Sequence, residues 1–327
     1  MDNPLRDLQR EFPQYRIWQE VIGMRETRYA AQARNLGINP HAVVTADPAE
    51  LRAELGAAAP APLFPSAKYD PGVPHPARVY SYWLGGKDHG PADREAAKEV
   101  MLHRPEVVAG ARANRHFLAR VVRFLAAERG IRQFLDIGTG LPAPDNTHEV
   151  AQSIAPECRI VFVDNDPVVL AHARALLTST PEGACGYVDA DLRDTPAVLR
   201  EAAAVLDFAH PVAVLLLAVL HFVLDAEDPA HIVAALAGGL APGSFIALSH
   251  LTGDFAPAAV TSGVGAYTTL VPTALVPRTH TQIEALFGGL PLVAPGVVPV
   301  NAWRPGVSDP RPTDLYAGVA TVPGRRM

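Results

Sequence analysis

From residue 131 onward the chain alternates short, wholly apolar runs with longer segments of helical period. The runs "RQFLDI", "CRIVFVDN", "CGYVDAD", "PVAVLLLAV" and "APGSFIALSH" predict five strands in chain order. Between them "NTHEVAQSIAP", "DPVVLAHARALLTS", "TPAVLREAAAVLD" and "DPAHIVAALAGGL" predict helices. Asp166 caps the second, with Pro167 at its first position, and another Asp-Pro pair opens the fourth. Strands that are apolar throughout and separated by helices belong to a parallel sheet covered on both faces. Near the end "LPLVAPGVVPV" and "DLYAGVATV" predict two more strands. The expected fold is therefore an open, doubly wound α/β sheet.

Upstream of that alternation, "PEVVAGARANRHFLARVVRFLAAERG" predicts a long helix from Pro105 to Gly130. Val107, Ala111, Asn114, Leu118, Val121 and Leu125 recur in steps of four and three, so they share one face. Asn114 is a polar break in that apolar stripe. At the N-terminus, "YRIWQE" and "TRYAAQA" predict short strands, and "DPAELRAELGAA" a helix capped by Asp47. An Ala- and Pro-rich tract follows from residue 57. The expected organisation is a small α+β appendage over residues 1–60, a linker over 61–74 and a main domain over 75–327.

Composition narrows the function classes. The formal net charge is −6, from 28 basic and 34 acidic side chains. Nucleic acid is therefore not the expected partner, because phosphate binding wants a basic face. Two cysteines, Cys158 and Cys185, form no metal or disulfide motif, and the twelve histidines are scattered, so no metal site is expected. The longest apolar run, 211–224, is shorter than the ~20 residues needed to span a bilayer. With no signal-peptide core, a cytoplasmic location without membrane association is expected.

The chemistry concentrates at "IRQFLDIGTGLPAPDN", residues 131–146. In such sheets ligands bind at the carboxyl ends of the strands. Gly138, Gly140 and Ala143 satisfy the loose dinucleotide pattern, and Asp164 stands at the right distance for a ribose hydroxyl, so an NAD(P)-dependent oxidoreductase is one reading. Two features oppose it. Asp136 would repel a pyrophosphate but suits an ammonium group. Pro142 and Pro144 delay the next helix, whereas pyrophosphate binding wants a helix N-terminus close by. "DIGTG", with Asp136, Gly138, Thr139 and Gly140, fits S-adenosyl-L-methionine better. Asp164 and Asn165 then meet the ribose, and Asp191 and Leu192 the adenine. His221, after the fourth strand, is the candidate general base, since histidine titrates near neutrality.

The segments "ARVYSYWLGGKDHGPADREAA", "ARANRHFLARVVRFLAAERGIRQFLDIGTGLPAPDNTHEVAQ", "VFVDNDPVVLAHARALL", "DADLRD" and "PVAVLLLAVLHFV", with "LPLVAPGVVPVNAWRP" and "DLYAGVA", resemble the actinobacterial S-adenosyl methyltransferase family DUF574 over residues 74–323. The resemblance implies a Rossmann-like class I methyltransferase sheet with S-adenosyl-L-methionine as cofactor. It names no acceptor. It also implies that "VYSYWLGGKDHGPADR" packs over the cofactor, which adds Tyr80, Gly85, Gly86 and Lys87 to the candidate site. Ser81 and Gly90 depart from the family pattern, which expects an acid and an aromatic there. Asn114 and Arg115, in "ANR", gain a role, with the guanidinium pairing the cofactor's carboxylate.

The expected activity is methyl transfer to a small-molecule acceptor by in-line displacement. The 252–280 stretch, rich in Gly, Pro and Thr, would wall the acceptor pocket, with Tyr267 and Trp303 as aromatic linings. A protein that binds S-adenosylmethionine as a non-catalytic sensor is the remaining alternative.

Overall fold

The computed structural model describes residues 4–13, 15–22, 26–33, 42–56, 70–305 and 313–324. Most of the expected linker lies outside these residues. The chain forms two compact units, one of Met1–Asp70 with Asp166–Thr178, the other of Pro71–Asn165 with Ser179–Met327.

The small unit is α+β. Helix α1 (Pro4–Glu11), strands β1 (Tyr15–Ile22), β2 (Glu26–Ala33) and β3 (Ala42–Thr45), and helix α2 (Pro48–Gly56) follow in order. The strands form an antiparallel sheet in the order β1-β2-β3. Leu8, Tyr15, Ile17, Leu51 and Leu55 make its core. The Asp47 carboxylate accepts the Ala49 N–H at 2.8 Å, which is the expected cap of α2. Helix α1 and strand β3 were not expected from the pattern. They are short, at 8 and 4 residues, and short elements carry little periodic signal.

The large unit opens with α3 (Pro76–Trp83), α4 (Pro91–His103) and α5 (Val107–Arg123). A π-helical turn, Phe124–Glu128, continues α5, and Gly130 closes the segment with φ at +67°. All six residues of the expected α5 stripe are buried, Asn114 included. There follow β4 (Gln133–Ile137), α6 (Thr147–Gln152), β5 (Arg159–Asp164), α7 (Pro167–Leu176), which clusters with the small unit, and β6 (Ala184–Asp189). Then come α8 (Thr195–Ala202), β7 (Ala213–Leu217), α9 (Pro229–Gly238), β8 (Phe245–Leu251), α10 (Pro257–Leu270), α11 (His280–Ala285), β9 (Val298–Pro299) and β10 (Leu315–Thr321).

Seven strands form one sheet in the order β6-β5-β4-β7-β8-β10-β9. The first five in that row pair parallel, as the apolar runs predict. The last two do not: β10 pairs antiparallel with β8 and with β9. Strands β4, β7 and β8 are buried along their whole length, so both faces are covered. Strand order reverses between β4 and β7, and the crevice at their carboxyl ends is where such a sheet binds ligands. Among the described residues, no helix is long and apolar enough to cross a membrane.

Helix α10 lies where the sequence pattern suggests only a Gly-, Pro- and Thr-rich loop. Gly263, Gly265 and the Thr residues lower intrinsic helix propensity, and no side chain caps it. Packing against α4 overrides that weak preference, with Val260 and Tyr267 buried.

Candidate active site

The strand ends open into a cavity of about 230 Å³. Asp136, in β4, is almost fully buried and its carboxylate accepts from the hydroxyls of Thr147 (2.6 Å) and Thr139 (3.3 Å). Burial pushes its pKa up, against the opposing pull of the Thr147 hydrogen bond, the Arg115 charge and Thr139. The glycines after it are demanded by backbone shape. Gly138 has φ +72° and an added Cβ would lie 2.5 Å from Val219 Cγ2. Gly140 has φ +66°, and its N–H donates to Asp164 Oδ2 at 2.9 Å. The chain then runs through Pro142 and Pro144, and α6 begins only at Thr147, where a capping box of Asn146 and Glu149 starts it.

Arg115 projects from α5 onto this loop. Its Nη2 donates to the Pro144 carbonyl at 2.9 Å and to the Asp145 carbonyl at 3.2 Å. Its Nε is buried and has no hydrogen-bond partner. The guanidinium therefore holds the loop through Nη2 while its buried Nε–H has no partner, and the residue lines the cavity.

Asn114, beside it, is tied into a buried chain of hydrogen bonds. Ser249 Oγ donates to Asn114 Oδ1 at 2.5 Å, Asn114 Nδ2 donates to Tyr80 Oη at 3.1 Å, and Tyr80 Oη donates to the Ala111 carbonyl at 2.9 Å. The polar break in the stripe thus fastens α3 to α5 and β8. Both Asn114 and Tyr80 face the cavity.

The ends of β5 and β6 supply Asp164, Asn165, Asp191 and Leu192, all at the cavity. Asn165 Nδ2 donates to Asp191 Oδ2 at 3.3 Å, so the two strand ends are joined. Asp191 also accepts from Arg193, whose guanidinium is shared with Glu227. Leu192 is buried beside them.

After β7 the backbone turns sharply through Ala218, whose φ of +54° is unusual for a residue with a Cβ. His221 follows in the cavity wall, buried. Its Nδ1 accepts the Leu251 N–H at 3.4 Å, which assigns the neutral ring's proton to Nε2. Burial, then the charges of His250, Arg278 and Arg104, hold its pKa well below the usual value. A ring so held presents a donor, which counts against the expected general base.

Three expected site residues stay outside the cavity. Gly85, Gly86 and Lys87 are exposed and do not line it. The glycines end α3 as a Schellman turn: Gly86 N–H donates to the Ser81 carbonyl at 2.9 Å, Gly85 N–H to the Tyr82 carbonyl at 3.0 Å, and Gly85 has φ +81°. Their glycine signature is explained by a helix end. Ser81 and Gly90 are likewise absent from the wall, and the Gly90 N–H donates to Asp93 at 2.7 Å. Trp303 is fully buried against Phe117 and Phe124, far from the expected lining role, whereas Tyr267 does line the cavity. Thr147 and the Ser249–Asn114–Tyr80 chain were not anticipated. The "NTHE" capping pattern signals Thr147 only as a helix start.

The fold and the strand-end cavity together define a Rossmann-like class I methyltransferase. Its antiparallel β10, inserted between β8 and β9, separates it from the wholly parallel dinucleotide-binding sheet with its 3-2-1-4-5-6 order. The S-adenosyl methyltransferase family matches residues 64–323, and the chain belongs to that family. Its cofactor is S-adenosylmethionine, and it is a methyltransferase rather than an oxidoreductase. A DUF574 family protein of Streptomyces avermitilis is similar in structure, at 44% identity and a TM-score of 0.75, over 78% of this chain and 99% of that one. A candidate methyltransferase of Thermobifida fusca is similar at 39% identity and a TM-score of 0.71, over 77% and 96% of the two chains. No curated protein matches.

Proposed function

We propose that the strand-end cavity binds S-adenosylmethionine through Asp136, Arg115, Asp164 and Asp191, and presents its methyl group to a small-molecule acceptor at the helical end. One observation carries this reading: three acids from three successive strand ends line a single cavity with Arg115, whose buried Nε has no hydrogen-bond partner. When bound, the cofactor supplies a methyl carbon on a cationic sulfur.

The residues fit it in charge and in order. Asp136, desolvated between two hydroxyl donors, neutralises the ammonium. Arg115 Nε takes the carboxylate while its Nη2 keeps the loop closed. Asp164, fixed by the Gly140 N–H, accepts from the ribose hydroxyls, with Asn165 beside it. Asp191 and Leu192 meet the adenine, the first through its amino group and the second through its ring face. Asn114 and Tyr80 set the wall against which the methionine chain lies. Gly138 and Thr139 shape the turn.

Orientation and exclusion of water are then the protein's main contributions to transfer. With its proton on Nε2, His221 can donate a hydrogen bond to the acceptor; it is not assigned proton removal.

Calorimetric titration separates these roles. S-adenosylmethionine binds and NAD⁺ does not. Asp164→Ala weakens S-adenosylmethionine and 5′-methylthioadenosine alike, by at least roughly tenfold, the loss of one to two charge-assisted hydrogen bonds. Arg115→Lys and Asp136→Asn weaken S-adenosylmethionine but spare 5′-methylthioadenosine, which lacks the amino acid group. Equal losses for both ligands in those two variants would remove the assignment.

A further inference from the structure

Beyond the strand ends the cavity passes between α3, α4, α5 and α10. Its walls there are aromatic and aliphatic: Trp83, Phe222 and Tyr267, with Val100, Val107 and Leu275 between them. Phe222 and Tyr267 lie nearly parallel, at 26° with centroids 6.3 Å apart. The Trp83 indole N–H is already donated to the Ala97 carbonyl at 3.2 Å, so that ring offers only its apolar surface.

The charge at this end is compensated. Arg104 is buried and pairs with Asp314, Nε to Oδ2 at 2.7 Å. His221 is held neutral by burial. Among the described lining residues at this end, no unpaired carboxylate awaits a cation and no unpaired cation awaits an acid. Closely spaced aromatic rings and a neutral wall favour a flat, uncharged molecule.

One polar atom remains unused. Tyr267 is 2% exposed, and its hydroxyl is buried without a hydrogen-bond partner. Buried hydroxyls in native proteins are almost always paired, so an orphan hydroxyl on a cavity-lining residue is a place where a ligand atom can complete the bond. Desolvation pushes the hydroxyl's pKa up, so it keeps its proton and acts as a donor.

From this wall we infer that the methyl acceptor is an uncharged planar aromatic molecule carrying an oxygen or nitrogen acceptor that receives the Tyr267 hydroxyl's hydrogen bond. The inference rests on the methyl-transfer reading of the same cavity and names the substrate class of its second half.

Quinoline and naphthalene test it, because they share a shape and differ in one ring nitrogen. Their binding to the full chain is measured by saturation-transfer NMR with S-adenosylhomocysteine present, for the native protein and for Tyr267→Phe. Both bicycles bind, and Tyr267→Phe lowers the quinoline-to-naphthalene preference by roughly tenfold, the loss of one buried hydrogen bond. Benzoate and benzylammonium bind more weakly than quinoline. An unchanged preference in Tyr267→Phe, failure of both bicycles to bind, or tighter binding of either charged probe would overturn the inference. S-adenosylhomocysteine affinity, read in the same samples, is unchanged by Tyr267→Phe. Loss of that affinity in the native protein would instead defeat the cofactor reading.

Discussion

Asp136 is placed where folding disfavours its charge and where the proposed binding of the cofactor's ammonium uses it. Its carboxylate is desolvated, with two hydroxyl donors and the Arg115 charge as partial compensation. A carboxyl whose folded pKa lies above its unfolded value, about 3.9, binds its proton more tightly in the folded state. Stability therefore falls as pH rises from about 4 through the folded value, and stays lower above it. Asp136→Asn removes that cost. The variant should melt with the native protein near pH 3.5 and above it at pH 7, while losing S-adenosylmethionine affinity. A melting difference that is the same at both pH values would show that charge is not the cause. Gly138 makes a different demand. At φ +72°, with Val219 Cγ2 2.5 Å from an added Cβ, Gly138→Ala must strain the backbone and displace Val219. A loss of at least ~1 kcal/mol is expected from the backbone alone, read as a lower urea midpoint with unchanged slope.

Among the elements, α5 shows how an apparent defect in a pattern becomes a fastening. Asn114 interrupts an otherwise apolar stripe, and its two amide atoms join Ser249 of β8 to Tyr80 of α3. Asn114→Ala leaves two buried hydroxyls short of a partner, at a cost of about 1–3 kcal/mol. Asn114→Asp should recover part of that loss at low pH, where the acid regains a donor; urea midpoints at pH 4 and 7 check this. Strands β4 to β8 and the helices between them were legible because buried parallel strands are uniformly apolar and Asp-Pro pairs punctuate them. Asp136, Asp164 and Asp191 were legible for the same reason, each lying at a predictable strand end. What was not legible depended on contacts distant in sequence. Helix α10 has weak propensity, and Gly263 lets it approach Arg104, whose Cβ would be 3.2 Å from an added Cβ. Gly85 and Gly86 entered the candidate site through the family resemblance, and a glycine pair by itself does not distinguish a Schellman turn from a binding turn. Trp303 lies in the core behind α5, at a depth that its local sequence does not report.

At the scale of the large unit, two buried histidines should shape the response to acid. His250 is fully buried and its pKa is lowered to about 4, chiefly by desolvation. Its Nε2 accepts from Arg278 at 2.8 Å, and Arg278 also holds the Leu220 and Val223 carbonyls around His221. Both histidines have folded values below their unfolded value of about 6.5, so the unfolded chain takes up protons first. The stability they contribute is complete above about pH 6.5 and is lost as pH falls towards 4. His250→Gln, which keeps an acceptor for Arg278 and cannot charge, should show a shallower fall in melting temperature between pH 7 and 4.5. Parallel curves would mean that His250 does not govern the acid limb.

The same sheet that buries these groups gathers Asp136, Asp164 and Asp191 at the carboxyl ends of β4, β5 and β6, in the wall of one cavity. The most direct measurement is a crystal structure of the full chain with S-adenosylhomocysteine. The ligand's carboxylate should lie on Arg115 Nε, its ammonium beside Asp136, its ribose hydroxyls on Asp164 and its adenine at Asp191 and Leu192. A ribose bound away from Asp164, or a carboxylate that leaves Arg115 Nε without a partner, would contradict it.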